Sequence, residues 1–346
     1  MRKMKKEKLF WISAANVFAC LGVIILHANG VFWSFPRGRL WYTANFLETF
    51  FYWPVPIFFM LSGATLIDYR ERYSTTKYFS KRIQRTLIPF LVWSIFSLIY
   101  RRLISGWQLG SPREIISGIC NTRYNVTYWF FIPLFAVYLG IPLLSAIPKK
   151  DRINLFGYLS AATFLFTSVL PTAFALLNLQ YNTAIQVPVT AGYVLYVLLG
   201  YLIKNVDLDK PIRFTLYGLA ILGWFVQFQG TNLLSLSAGQ LVRTFKGYLN
   251  FPAVMQAVGI MVFFKYFPWE KVLHNFGQKL IINISRYTFG IYLIHYYLVE
   301  QVPLWFSINT DQLWWRTIGA LIVFIIATAI CWVLSKVPVL KKSIGF

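Results

Sequence analysis

Runs of about twenty apolar residues recur along the whole of this chain, and that is the length an α-helix needs to cross the hydrocarbon core of a bilayer. In lipid every backbone N–H and C=O must find its partner within the protein, so such runs fold as helices and not as open sheets. Hydrophobic residues make up 58% of the sequence and charged residues 13%, with a mean hydropathy of +0.57, which excludes an ordinary soluble domain. The expectation is an all-α, polytopic transmembrane helix bundle of about ten helices. They fall near residues 9–33, 45–67, 86–105, 128–147, 155–178, 188–204, 212–229, 243–267, 280–299 and 313–338, in one membrane domain over 1–346.

A net charge of +22 would suit a nucleic-acid binder if the basic residues clustered on one soluble face. Here they alternate with the apolar runs. With the N-terminus in the cytoplasm, segments 1–8, 68–85, 149–152, 204–213, 265–286 and 336–342 hold 24 of the 33 Lys and Arg. That bias follows the positive-inside rule and puts both termini in the cytoplasm, so the charge serves topology and the lipid bilayer, and no nucleic-acid partner is expected. Segment 101–127, with Arg101, Arg102, Arg113 and Arg123, is the exception: a long departure from the rule or a functional basic patch. The basic N-terminus leads into a long apolar run without a small-residue cleavage pattern, which reads as a retained first helix. Cys20, Cys120 and Cys331 lie far apart, so neither a disulfide framework nor a metal site is expected.

Within the first run, Ser13, Asn16, Cys20, His27 and Gly30 recur at offsets of three, four and seven and so share one helical face. An imidazole deep in a span is costly unless it faces protein or water, so His27 is a functional candidate. At about 1.5 Å per residue it lies roughly 27 Å along the helix from Leu9, near the outer end. Glu48, in the first turn of the second span, and His295, about 20 Å above Ile282 in the ninth, reach the same depth by the same rise. A neutral imidazole can take a hydroxyl proton and return it, as a general base must. Glu48 is open to either reading, an interfacial charge or a partner that orients or charges His27, and His295 is a hydrogen-bonded structural histidine or part of the site. His274 reads as a solvated bystander.

A second group lies on the cytoplasmic side. Lys81, Arg82 and Arg85 sit where a loop becomes the third span, either as topology anchors or as a forked grip on phosphate. Aromatic residues expected in the outer half, among them Trp33, Trp41, Tyr128 and Trp129, are interfacial anchors or stacking faces for sugar rings.

Five stretches, WISAANVFACLGVIILH, PVPIFFMLSGATL, YFSKRIQRTLIPFLVWSI, YWFFIPLFAVYLGIPLL and FGIYLIHYYLV, occur in an order and spacing that resembles the acyltransferase-3 family of integral membrane acyltransferases. The resemblance covers essentially the whole chain. It implies ten transmembrane helices in the cell membrane (a bacterial plasma membrane) and an acyl-CoA donor, acetyl-CoA foremost, taken from the cytoplasm. The acceptor it implies is a hydroxyl of a cell-surface glycan or lipid-linked sugar. His27 matches the family's catalytic histidine, and Lys81, Arg82 and Arg85 its basic donor motif. Ser62 and Gly63 match its SG pair, Trp129 the aromatic position opening the fourth helix, and His295 the YLIH element. The chain departs from the pattern at Asn16, where relatives carry an arginine eleven residues before the histidine, and at Tyr52 and Trp53, where many carry another. Asn16 can hydrogen-bond a carbonyl but cannot neutralise a phosphate. Two further classes therefore stay open: a transporter or exporter of a glycan, acyl group or lipid-linked sugar, and a non-catalytic partner of a glycan synthase.

Overall fold

The computed structural model describes residues 2–185, 190 and 192–345, with side chains from Phe10 onward. Among them every regular element is helical. Six helical runs are long and apolar enough to cross a membrane: Phe10–Ala28, Gly38–Glu71, Thr75–Ser105, Val126–Ala146, Lys149–Leu176 and Trp315–Lys336. Shorter apolar helices, Val194–Asn205 and Phe251–Tyr266, stand beside Lys210–Ala238 and the pair Asn275–Ser285 and Thr288–Trp305. Each expected run thus contains a helix, though part of the expected 188–204 run lies outside the described residues.

The helix Arg2–Ala28, α1, is central. It packs against Pro54–Leu66, Phe251–Tyr266, Thr288–Trp305 and Ala320–Lys336, and its alanines Ala14, Ala15 and Ala19 are fully buried at these crossings. The crossing of Pro54–Leu66 with Val194–Asn205 is tighter still: a Cβ on Gly63 would overlap the Val197 carbonyl, and one on Gly200 the Met60 carbonyl. Apolar side chains gain little by leaving lipid for protein, so close backbone approach over small residues supplies the packing. Gly200→Leu is expected to cost at least the upper end of the roughly 1–3 kcal/mol of overpacking, because the obstacle is backbone. Size-exclusion profiles of detergent-extracted protein check this, with Gly140→Leu, which meets open space, as the unaffected control.

Three departures from regular helix shape the interior. The run expected at 45–67 is broken at residues 51–53, since Pro54 and Pro56 offer no N–H to the turn before them. Pro54 leaves the Phe50 carbonyl without its helical donor, and Gln256 Nε2 donates to it at 3.3 Å and to the Thr49 carbonyl at 3.0 Å. The run expected from 243 becomes helical only at Phe251, after Gly239, Gly247 and the N-cap Asn250. Residues 239–250 are instead an irregular segment, held by Gln227 Nε2 to Phe245 O (3.1 Å), by Asn250 Nδ2 to Thr244 O (2.7 Å) and by the Tyr196 hydroxyl to Tyr248 O. Finally, the run expected at 280–299 is interrupted at Arg286 and Tyr287 between its two helices. Irregular backbone within an apolar bundle is tolerated where protein or a cavity surrounds it, and these breaks border two cavities.

Candidate active site

One face of α1 serves both cavities. The first, of about 420 Å³, is lined from α1 by Ile12, Ser13 and Asn16, and its cations are Arg82, Arg85 and Arg286. Pro89 supplies no N–H to the Arg85 carbonyl, and residues 83–87 form a π turn closed by Ile88 N on Ile83 O. That wider turn carries Arg85 to the cavity with Arg82, whose guanidinium lies 5.3 Å from the Tyr138 ring. Lys81 does not line the cavity; its Nζ sits 3.8 Å over the Tyr73 ring. Asn16 Nδ2 donates to Ser285 O (3.1 Å) and Thr288 Oγ1 (2.7 Å), so the amide clasps the helix interruption from which Arg286 emerges.

The second cavity, of about 530 Å³, is lined by His27, Glu48, Trp129 and a set of tyrosines. Phe130 and Tyr292 belong to the walls of both cavities, so these two residues stand between them. The His27 ring lies 5.2 Å from that of His295 and 5.8 Å from Tyr296 in an edge contact. His295 is fully buried, with Nδ1 2.7 Å from Tyr292 O. Because a carbonyl only accepts, Nδ1 carries the hydrogen, and Nε2 of the neutral ring is left as a bare acceptor without a partner among the described residues.

Glu48 is 3% exposed, and its Oε1 accepts from Lys246 Nζ at 3.1 Å. The ammonium is itself completely buried, 3.6 Å over the Tyr52 ring and 4.9 Å from that of Phe32. Tyr52 stacks on Tyr248 at 4.3 Å, and Tyr248 on Trp129 at 5.6 Å. Trp129 stands on the short turn Val126–Phe130, whose Asn125 cap accepts from Thr127 N at 3.0 Å and which the Tyr292 hydroxyl ties through Thr127 O.

Sequence reasoning puts His27, Glu48 and His295 at one depth and Trp129 in the outer half; the structure places His27, Glu48 and Trp129 on the lining of one cavity and His295 off that lining, its ring 5.2 Å from that of His27. It places Asn16, Arg82 and Arg85 at the other, together with Ser62. No hydrogen bond joins Glu48 to His27 among the described residues; the carboxylate pairs with Lys246. Lys246, Tyr248, Tyr52 and Arg286 were not singled out as binding groups, although Arg286 and Lys246 carried a signal as charges inside apolar surroundings. Arg101, in the basic segment read as an exception, pairs with Glu300 at 2.9 Å, and His274 is exposed. Among the described residues no three His, Cys, Asp or Glu side chains are grouped as a metal site needs.

Helices of this length and apolarity, packed around a central α1 with two cavities along one of its faces, define a multi-pass membrane protein. The family model of the acyltransferase domain, type 3, matches residues 9–336, and the chain belongs to that family of membrane acyltransferases. No curated protein and no solved structure matches it.

Proposed function

We propose that the protein transfers an acyl group, acetyl foremost, from a cytoplasmic acyl-CoA to a hydroxyl of a cell-surface glycan or lipid-linked sugar. The observation that carries this reading is the pair of cavities on one face of α1. Asn16 borders the basic one and His27 the other, eleven residues or about 16 Å apart along the helix. A phosphate-bearing donor suits the cavity with three guanidiniums, since arginine forks onto phosphate oxygens. Its thioester arm then reaches the histidine cavity past Phe130 and Tyr292. There the neutral imidazole of His27 accepts the proton of the acceptor hydroxyl while the oxygen attacks the thioester carbonyl. The C–S bond breaks, and the coenzyme A thiolate leaves and takes up that proton. His295, behind His27, fixes the ring's surroundings, and Trp129 faces the acceptor.

Asn16 cannot supply the charge that relatives place at its position, but the interruption it clasps carries Arg286 to the same cavity. Replacing Arg82, Arg85 or Arg286 singly by Ala is expected to weaken coenzyme A binding about tenfold to a hundredfold, the equivalent of one charge-assisted hydrogen bond of about 1.5–3 kcal/mol. Titration of the purified protein with coenzyme A at two salt concentrations checks it. Binding unchanged in all three variants would leave these residues as topology anchors. Asn16→Arg is expected to leave acylation unchanged or raise it, read as ester formed per unit of inserted protein; loss of both activity and expression would favour an inactive relative, because an unpaired guanidinium there is costly.

A further inference from the structure

The histidine cavity holds a buried carboxylate oxygen with no hydrogen-bond partner among the described residues. Glu48 lines the cavity, Lys246 occupies Oε1, and Oε2 is buried without a hydrogen-bond partner. An ionised carboxylate only accepts, and leaving an acceptor buried and unmade is expensive, so this oxygen is suited to a ligand that brings an O–H or N–H donor. Lys246 stands behind the carboxylate, with Nζ 3.1 Å from Oε1, and does not line the cavity. Next to Glu48 the wall is flat and aromatic. Lys246, Tyr52, Tyr248 and Trp129 follow one another face to face, and Trp129, at the end of the column, is half-buried and keeps part of its surface toward the cavity. The column fixes the tilt of the Trp129 ring, so its surface is presented without ordering cost on binding.

We propose that Glu48 and Trp129 form a sugar subsite selective for an uncharged ring. The apolar C–H face of the ring lies on Trp129 while one hydroxyl donates to Glu48 Oε2, which leaves another hydroxyl toward His27 across the same cavity. Charge sets the selectivity. Among the described residues Glu48 is the only acidic one on the lining and no lysine or arginine lines this cavity, while Lys246 behind it is taken up by Oε1, so a uronic or sialic acid would bring its carboxylate against another with no cation on the lining to meet it. This rests on the reading of the acceptor as a glycan, and it gives the cavity a role that Glu48 acting on His27 would not.

The test is saturation-transfer NMR on the purified full chain in lipid nanodiscs, with methyl glucoside, methyl glucuronoside and methyl glucosaminide as probes. Transfer is expected to the ring protons of the neutral glucoside and to fall at least tenfold in effective affinity for the glucuronoside. Trp129→Leu is expected to abolish it. The charge-neutral double variant Glu48→Gln/Lys246→Met, which leaves no buried ion to unfold the site, is expected to weaken the glucoside at least fivefold and to narrow the gap to the glucuronoside. Equal binding of the neutral and acidic glycosides, binding untouched by either variant, preferred binding of the cationic glucosaminide, or no binding of any probe by the parent protein would each overturn the proposal. Binding does not require turnover, so the two readings fail separately. Selective binding without acyl transfer would sink the transferase reading alone, and acyl transfer without selective binding would sink the subsite alone.

Discussion

His27→Ala is expected to lower acyl transfer on the order of a hundredfold or more, with membrane insertion and expression unchanged. The basis is that the imidazole faces the cavity, partly exposed, and carries no packing load comparable to the buried alanines on the other faces of α1. Removing it deletes the proton acceptor and not the span, and general-base loss is worth about 10²–10⁴ in rate. His27→Gln keeps most of the volume and a hydrogen-bonding group but cannot shuttle a proton, so it should be as inactive as the alanine variant. Radiolabel transferred from acyl-CoA to glycan, normalised to inserted protein, measures this; full transfer by either variant would remove the mechanism.

The second large effect concerns stability. Lys246→Met is expected to destabilise the protein by about 3–5 kcal/mol, the cost of leaving a buried charge without its counterion, here Glu48. Glu48→Gln should cost a similar amount by stranding the ammonium, softened by the faces of Tyr52 and Phe32 beneath it. The double variant Glu48→Gln/Lys246→Met should recover most of either loss, since a buried ion pair replaced as a pair is often nearly neutral. Denaturant titrations in mild detergent read all three. A double variant as unstable as the worse single one would show that the single losses are not the cost of a stranded charge.

The helical class was legible in the sequence because length and hydropathy alone dictate it, and His27 was legible because a span makes a lone imidazole conspicuous. Helix rise sufficed to bring Asn16, His27, Glu48 and His295 to their two depths, since all stand on helices. What could not be read is what departs from helical regularity. Lys246 meets Glu48 across 198 residues of sequence and only because residues 239–250 leave the helix that their apolar character suggests. Arg286 reads in the sequence as a topology charge, and it reaches the basic cavity from an interruption at 286–287 whose flanking residues Ser285 and Thr288 accept hydrogen bonds from Asn16. The interior breaks and the pairings across them follow from tertiary partners, for which a periodic pattern carries no signal.

Transfer of an acyl group from coenzyme A to a glycan hydroxyl, as proposed, is read in mass spectra of the surface glycans. Cells carrying the gene, cells lacking it and cells complemented with His27→Ala would be compared. A mass increment per acylated sugar that mild alkali removes is expected only with the intact gene; glycans of identical mass in all three strains would overturn the proposed transfer.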